Sequence, residues 1–244
     1  MLKMWCIALV MICFPKLIFS QANEASTPIE KTDYKAYVGF NLGFSIPNGS
    51  FEATNIESNQ PGYATNGQSL QLIDLGYRFY QNLNASFHYL RLQNGFNENA
   101  FADNLRTQDF RYGVEASNYE LNAAMVGLGF VKPTNSISLQ MQIMLGFGNV
   151  FIPSILIEET NQSGDVRTIQ IASAKENGFG FGVSGGFRIH LNERLDLSTQ
   201  ASFINFQKDY EQVESSNGQV AVQNSRVNYE VIAVNFGLAY RFMP

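Results

Sequence analysis

Five charged residues stand in stretches of sequence that otherwise alternate between apolar and small or polar residues. Asp74 and Arg78 are four residues apart and therefore share one face of a β-strand. We expect Asp196 to lie near Arg188 across a short polar turn, with Arg241 completing the group. Because charges in a confined interior are costly unless they are paired, these residues predict a salt-bridge network that plugs and stiffens a narrow interior. The alternative role is a gate or selectivity element in a small pore.

Residue types that carry out catalysis or bind metals are sparse. The two histidines, His88 and His190, have no neighbouring ligand at a spacing typical of a metal site. Ser86 lies two residues before His88 on the same strand face, but the sequence contains no G-x-S-x-G motif. Both cysteines, Cys6 and Cys13, fall in the N-terminal segment. We therefore expect no catalytic site, no metal site and no cofactor.

The first twenty residues have the layout of a cleavable export signal. Lys3 provides a positive start, an apolar run extends from Met4 to Phe14, and Ser20 offers a small residue at the cleavage point. The apolar run is too short to cross a membrane as a helix. The expected organisation is a signal peptide at 1–20, a short periplasmic segment at 21–33 and a folded domain at 34–244.

The composition of the chain narrows the class of protein. Charged residues make up 15% of the sequence, against roughly 25% in soluble proteins, and Gly, Phe and Tyr are frequent. No later segment approaches the run of about 18 apolar residues that a transmembrane helix needs. A formal net charge of −5 leaves no basic surface for nucleic acid. These features together are typical of β-structure that contacts lipid.

From Tyr34 onward the sequence alternates with the period of two that β-strands require. Glycine and small polar residues stand opposite bulky apolar residues, which suits a narrow lumen on one face and lipid on the other. Eight segments are predicted, at about 35–46, 69–79, 83–93, 119–132, 137–152, 178–191, 195–207 and 227–242. The third, fourth and seventh of these segments alternate less cleanly than the others.

The connections between these segments alternate between short and long. Tight turns are expected at 80–82, 133–135 and 192–194, and long polar loops near 47–68, 94–118, 153–177 and 208–226. Outer-membrane barrels have short periplasmic turns and long extracellular loops. The predicted fold is therefore an all-β, single antiparallel up-and-down transmembrane barrel of about eight strands, or of ten if a long loop contains a further hairpin.

The final segment, Val234-Asn235-Phe236-Gly237-Leu238-Ala239-Tyr240-Arg241-Phe242, resembles the last strand of small outer-membrane barrels of the OmpX and OmpA-transmembrane type. The segment Gly76-Tyr77-Arg78-Phe79 is similar to hairpins in porin-like barrel proteins of Bacteroidota. The resemblance implies a barrel-insertion signal at Phe236, Leu238, Tyr240 and Phe242, although Met243 and Pro244 follow the last aromatic residue. It also implies an outer-membrane location among lipid and lipopolysaccharide, with barrel-assembly machinery and periplasmic chaperones as partners during biogenesis.

Four hypotheses describe the function. The leading one is a non-enzymatic outer-membrane barrel whose exposed loops serve envelope structure, adhesion or assembly, since loops carry most specificity. The others are a narrow porin-like channel for small solutes, a barrel subunit of a secretion system, and a secreted lipocalin-like binder. The last is disfavoured because a polar interior cannot line a dry ligand cavity. The sequence does not indicate which surface ligand the loops bind.

Overall fold

The computed structural model describes residues 34–55, 61–107, 109–134, 136–216 and 219–242. The predicted signal peptide (1–20) and periplasmic segment (21–33), together with Met243 and Pro244, lie outside the described residues. Within that part of the chain the elements are β1 Ala36–Pro47, β2 Ala64–Tyr80, β3 Leu83–Phe96, α1 Glu98–Leu105, β4 Phe110–Ala116, β5 Tyr119–Pro133, β6 Ile137–Ile152, β7 Ile155–Asn161, β8 Val166–Ile171, β9 Ala174–His190, β10 Leu195–Ser216 and β11 Gln219–Phe242.

Eight of these strands close into an antiparallel ring. The order around the ring is β1, β2, β3, β5, β6, β9, β10 and β11, and β11 pairs with both β10 and β1. Closure pairs the backbone groups of each strand on both sides, which is the condition for strands to cross a membrane. The predicted all-β barrel of eight strands is confirmed. The ten-strand alternative is wrong, because the strands inside the long connections, β4, β7 and β8, stay outside the ring.

Short and long connections lie at opposite ends of the ring. Residues 81–82, 134–136 and 191–194 connect strands at the end that we call the turn end, and the opposite end is the loop end. The polar segment predicted as a loop at 208–226 is instead a long hairpin, in which β10 and β11 stay paired as far as Ser216 and Gln219. Most described side chains of this hairpin are exposed on both faces, so it lacks the alternation by which strands are recognised.

The loop end also carries a small outer sheet, made of β4, β7 and β8 with α1. It joins the ring where the end of β10 pairs with β8. Helix α1 begins after Asn97, whose side chain accepts a hydrogen bond of 3.1 Å from the Ala100 amide. The isoleucines Ile155, Ile157 and Ile171 form the buried centre of this sheet. In the described part of the chain, no helix has the length and hydropathy needed to cross a membrane.

Outward-facing side chains of the ring form an apolar belt. Leu128, Met141 and Phe44 are 67%, 66% and 65% exposed, and exposed apolar surface of this extent is rare on soluble proteins. Along β6 the outward residues are apolar from Ile137 to Phe147, an interval of ten residues. At ~3.3 Å per residue this interval spans about 33 Å along the strand, or about 25 Å along the barrel axis at a tilt of ~40°. The belt therefore has the height of the apolar band of outer-membrane barrels.

Candidate functional site in the barrel interior

The interior of the ring divides into two layers. Near the turn end lies a polar layer of buried amides, hydroxyls and charged groups, which includes Asn41, Gln71, Asp74, Ser86, His88, Ser138, Gln142, Arg188, Asp196 and Arg241. Near the loop end lies an apolar layer, which includes Phe51, Leu92, Leu121, Met125, Met144, Phe206 and Tyr229. The polar lumen that the sequence predicts is present near the turn end. Near the loop end the prediction is wrong for most inward residues, although Ser45 and Asn94 there are polar and buried.

The apolar layer explains why three segments alternate weakly. In β5, Leu121 and Met125 are buried in the lumen, while Val126 and Leu128 are exposed on the belt. Near the loop end, however, the outward residues of β5 are the polar Glu120 and Asn122, so the apolar residues pass from the inward face to the outward face along one regular strand. Strands β3 and β10 likewise carry buried apolar residues on the inward face near the loop end, such as Leu92 and Phe206. The alternation in the sequence therefore changes phase within the strand and looks irregular.

Asp74 is the centre of the first of two buried ion-pair groups. A register shift between Gln71 and Ile73 adds one residue to β2, so that both Gln71 and Asp74 face inward. The Asp74 carboxylate lies 3.4 Å from Nη2 of Arg188 and 3.3 Å from Nδ1 of His88.

Tyr37 contacts both charged side chains of this group, Asp74 and Arg188. Its hydroxyl donates a hydrogen bond of 3.2 Å to Asp74. The Arg188 guanidinium carbon lies 3.2 Å from the centre of the Tyr37 ring, which is a close cation–π contact. The phenol needs space, and Gly76 provides it, because a Cβ at that position would lie 2.0 Å from the ring. Glycine in the lumen thus makes room for an aromatic ring that positions a salt bridge.

Asp196 is the centre of the second group. Its Oδ1 lies 3.0 Å from Nε of Arg241 and 2.7 Å from Nδ1 of His190. The Arg241 guanidinium also donates a hydrogen bond to the backbone carbonyl of Asn192 in the β9–β10 turn. This group therefore ties the end of β11 to the neighbouring turn. Both Asp196 and Arg241 are almost completely buried.

The structure brings four of the five predicted charged residues into these groups, with partners that differ from the expected ones. Arg188 contacts Asp74 on the opposite side of the ring rather than Asp196. Asp196 contacts Arg241 instead. Arg78 is half-buried, and its guanidinium carbon lies 5.6 Å from the centre of the Tyr34 ring. Local spacing identifies a shared strand face, but contacts across a lumen depend on ring closure, which local spacing does not encode.

The residues of the expected insertion signal lie on the outward face of β11. Phe236, Leu238, Tyr240 and Phe242 are each 40–50% exposed and belong to the belt. The rings of Tyr240 and Phe242 meet edge to face with 5.3 Å between their centres. Their recognition by assembly machinery stays a prediction.

Each histidine lies between a serine and an aspartate. His88 has Nε2 3.0 Å from Ser86 Oγ, and His190 has Nε2 3.0 Å from Ser138 Oγ. Asp196 is hydrogen-bonded to the opposite nitrogen of His190, so Ser138, His190 and Asp196 follow the order of a serine hydrolase triad. At His88 the opposite nitrogen is hydrogen-bonded to Gln71, with Asp74 beside it at 3.3 Å. Ser86 could be found from the sequence because it is two positions from His88, whereas Ser138 is 52 positions from His190 on another strand.

Burial limits what these two arrangements can do. The Ser86 hydroxyl donates a hydrogen bond of 2.7 Å to Gln142, and both serines are less than 10% exposed. The cavity next to His88 has a volume of about 10 Å³, which holds one water but no substrate. Among the described residues, no group of three or more His, Cys, Asp or Glu is placed to hold a metal ion. The geometry therefore supports a structural role for both groups, in which their side chains hydrogen-bond strands of the ring to one another.

Phe51 covers the apolar layer from the β1–β2 connection. Its ring centre lies 4.5 Å from that of Tyr229 and 4.9 Å from that of Tyr119, and Phe51 is 1% exposed. Beneath it, Phe206 fills the space left by Gly180, where a Cβ would lie 2.5 Å from the Phe206 ring. The loop end of the lumen is thus filled by aromatic side chains.

Comparisons with known proteins agree on the fold. Family models and curated protein sequences give no match to this chain. Among solved structures, the outer membrane protein OprG from Pseudomonas aeruginosa aligns with a TM-score of 0.51 at 11% identity, over 88% of this chain and 100% of OprG. The fold is shared with outer-membrane β-barrels.

Two further solved structures align over most of the chain at lower TM-scores. A major outer membrane protein from Thermus thermophilus aligns with a TM-score of 0.48 at 12% identity, over 85% of this chain and 98% of that protein. Neisserial surface protein A aligns with a TM-score of 0.45 at 14% identity, over 85% and 97%. The expected kinship with OmpX-type barrels and with Bacteroidota in particular stays a prediction.

Proposed function

We propose that this chain is an integral outer-membrane β-barrel that is closed to solutes, has no enzymatic activity, and acts through the surface at its loop end in envelope structure, adhesion or assembly. The observation that carries the proposal is the filled interior. The polar layer and the apolar layer follow one another along the barrel axis, and the cavity at their boundary is the size of one water.

The belt supports insertion in a membrane rather than secretion. A lipocalin-like binder would also have eight strands. Because part of the interior is apolar, a polar lumen no longer argues against such a binder. Its outer surface would face water, however, whereas here the outward side chains are apolar over about 25 Å of barrel height. The short turns are expected on the periplasmic side, so the loop end is expected to face the outer medium.

The two filled layers support a plug rather than a pore. An eight-stranded barrel has an interior just wide enough for side chains. In the polar layer, charged side chains from opposite strands meet, as Arg188 of β9 and Asp74 of β2 do. In the apolar layer, Phe51 stacks against two tyrosines. Solutes would have to displace both layers in order to pass.

Conductance across planar lipid bilayers tests this proposal. Wild-type protein purified from outer-membrane fractions, with a boiling-dependent gel mobility that shows a folded barrel, is expected to give no steady current. The double variant Phe51→Ala with Arg188→Ala removes one large side chain from each layer and should conduct. The matched control Leu128→Ala, on the belt, should stay silent. A steady current through the wild type would favour the narrow-channel hypothesis instead.

A further inference from the structure

A cavity of about 190 Å³ lies at the loop end, above the apolar layer. The β1–β11 ladder ends at the pair Pro47 and Val231, after which the Asn48 amide donates a hydrogen bond of 2.9 Å to the Glu230 carbonyl. The cavity lies between the next residues of β11 and the described residues 50–51 and 61–62 of the β1–β2 connection, with Ser50 on one wall and Asn228 on the other. At about 190 Å³ it is far larger than the one-water cavity of about 10 Å³ beside His88, and its volume is on the scale of one six-membered sugar ring.

Aromatic residues lie at the inner end of this cavity. Phe51 and Tyr119 are buried and packed edge to face, and the Tyr119 hydroxyl donates a hydrogen bond of 2.8 Å to the Gly62 carbonyl. Tyr210 of β10 completes the aromatic lining, and its hydroxyl is hydrogen-bonded to Ser225. These contacts hold the rings in place before any ligand arrives, which lowers the entropic cost of binding. Because Phe51 and Tyr119 are 1% and 6% exposed, the half-buried ring of Tyr210 is the flat apolar surface that the cavity offers to a cyclic ligand.

Polar groups line the outer walls. Asn228 donates hydrogen bonds to the Ser50 hydroxyl and to Glu230 and accepts one from Asn205, so its amide holds Ser50 in position. The Ser50 hydroxyl keeps its own O–H as a donor at the cavity. Neighbouring residues of a strand direct their N–H and C=O groups alternately to its two sides. Between Ser225 and Asn228, β11 therefore directs some backbone groups away from β10, toward the cavity. This supply of neutral donors and acceptors matches a ligand with several hydroxyl groups.

The charged residues around the cavity favour a neutral ligand over an anion. Arg226 lines the cavity, but its Nε lies 2.5 Å from Oδ1 of Asp209 and its Nη2 lies 3.3 Å from Oδ2. The Arg226 hydrogen bond holds the pKa of Asp209 below its usual value, so the pair persists as two opposite charges. The Glu230 carboxylate lies 3.4 Å from Nδ2 of Asn228. An anion entering the cavity would therefore meet a neutralised cation and a nearby carboxylate.

We propose that this cavity binds one uncharged pyranose sugar ring, either free or at the end of a surface glycan. The cavity is smaller than the ~300–1,000 Å³ of sites for drug-sized molecules, so a single ring fills it. This inference rests on the proposed function only in that the loop end must face the outer medium. It names the chemical class of ligand for that end.

Titration of the full-length folded protein in phospholipid nanodiscs tests the inference, since detergents with sugar headgroups would occupy the site. The probes are methyl glucoside, methyl galactoside, N-acetylglucosamine and, as anions, glucose 6-phosphate and inorganic phosphate. At least one neutral sugar should bind with a Kd in the millimolar range, as ordinary ligand efficiency implies for about a dozen non-hydrogen atoms. Neither anion should bind more tightly. Empty nanodiscs provide the baseline.

Variants locate the binding. Tyr210→Ala and Asn228→Ala should each weaken the binding of the sugar by about tenfold, and Tyr210→Phe, which keeps the ring, by less. Tyr80→Ala, which removes an exposed tyrosine at the turn end, should bind as the wild type does. Boiling-dependent gel mobility identifies variants that fold.

The outcomes are separable from those of the proposed function. Binding of a free methyl glycoside would establish a monosaccharide site, and binding confined to sugars at glycan ends on an array would establish a glycan-end site. No saturable binding to either source, equal affinity in Tyr210→Ala, or preference for the phosphorylated sugar would overturn the inference. A wild type that fails to bind yet stays closed in bilayers would leave the proposed function intact.

Discussion

The salt bridge between Asp74 and Arg188 offers a quantitative test of the polar layer. Both side chains are 1% exposed and their charged atoms are 3.4 Å apart. At an effective dielectric constant of ~20, this separation corresponds to an attraction of about 5 kcal/mol, much of which desolvation cancels. Removing one partner leaves the other charge buried and unpaired. We therefore expect Asp74→Asn and Arg188→Met each to lower the free energy of unfolding by about 3 kcal/mol.

A double-mutant cycle isolates the contribution of the pair itself. The double variant should cost about 2 kcal/mol less than the sum of the two single variants. Arg91 and Glu120 are the matched control, because their charged atoms are closer, at 3.0 Å, but their side chains are 46% and 27% exposed. Solvent screens such a pair, and its coupling should stay below ~1 kcal/mol.

Reversible urea unfolding of the barrel from lipid vesicles, followed by circular dichroism, measures all of these free energies. The reasoning depends on burial rather than on distance alone. If the Asp74–Arg188 coupling were no larger than that of Arg91 and Glu120, the polar layer would be hydrated in solution, and the plug that it is proposed to form would have to be abandoned.

Three further predictions concern the glycines, the belt and the buried serines. Gly180→Ala should lower the free energy of unfolding by about 1–3 kcal/mol because its Cβ would meet the Phe206 ring at 2.5 Å, whereas Gly185→Ala, with its nearest atom 3.9 Å away, should be almost neutral in the same assay. Leu128→Arg on the belt should cost about 2–4 kcal/mol in vesicles, and Val222→Arg, which is exposed on the long hairpin, should cost nothing measurable. A fluorophosphonate probe should label neither buried serine of the folded barrel, and labelling that a histidine variant abolishes would contradict the proposed absence of enzymatic activity.

The ring strands could be predicted from the sequence because their outward residues are apolar where they face lipid. On β1, β6, β9 and β11 the inward residues are small or polar along much of the strand, so the contrast between faces is visible. On β5 the contrast reverses near the loop end, where Leu121 faces inward and its outward neighbours Glu120 and Asn122 are polar. The strand is still found, because Val126 and Leu128 maintain the outward series. Strand position is thus encoded locally, one strand at a time.

Interior contacts could not be predicted in the same way. The Asp74–Arg188 contact joins residues 114 positions apart on opposite strands. Its geometry depends on the extra residue in β2 near Ile73, which changes the face that the following residues occupy. The strands within 208–226 could not be predicted for a different reason. Most of their described side chains are exposed, so no buried apolar face repeats with the period of a strand.

The two layers place different demands on the barrel. The polar layer depends on specific pairs of residues. Asp74 and Asp196 each need a particular charged partner, and the loss of that partner leaves a buried, unpaired charge. The apolar layer is held by packing, for which shape and volume are sufficient. Phe51, which completes it, comes from a connection at the loop end rather than from a strand. Closure near the turn end is therefore built into the ring, while closure near the loop end depends on the same connection that forms one wall of the proposed sugar cavity. A ligand held against Ser50 would consequently hold the same connection in place and stabilise the apolar plug.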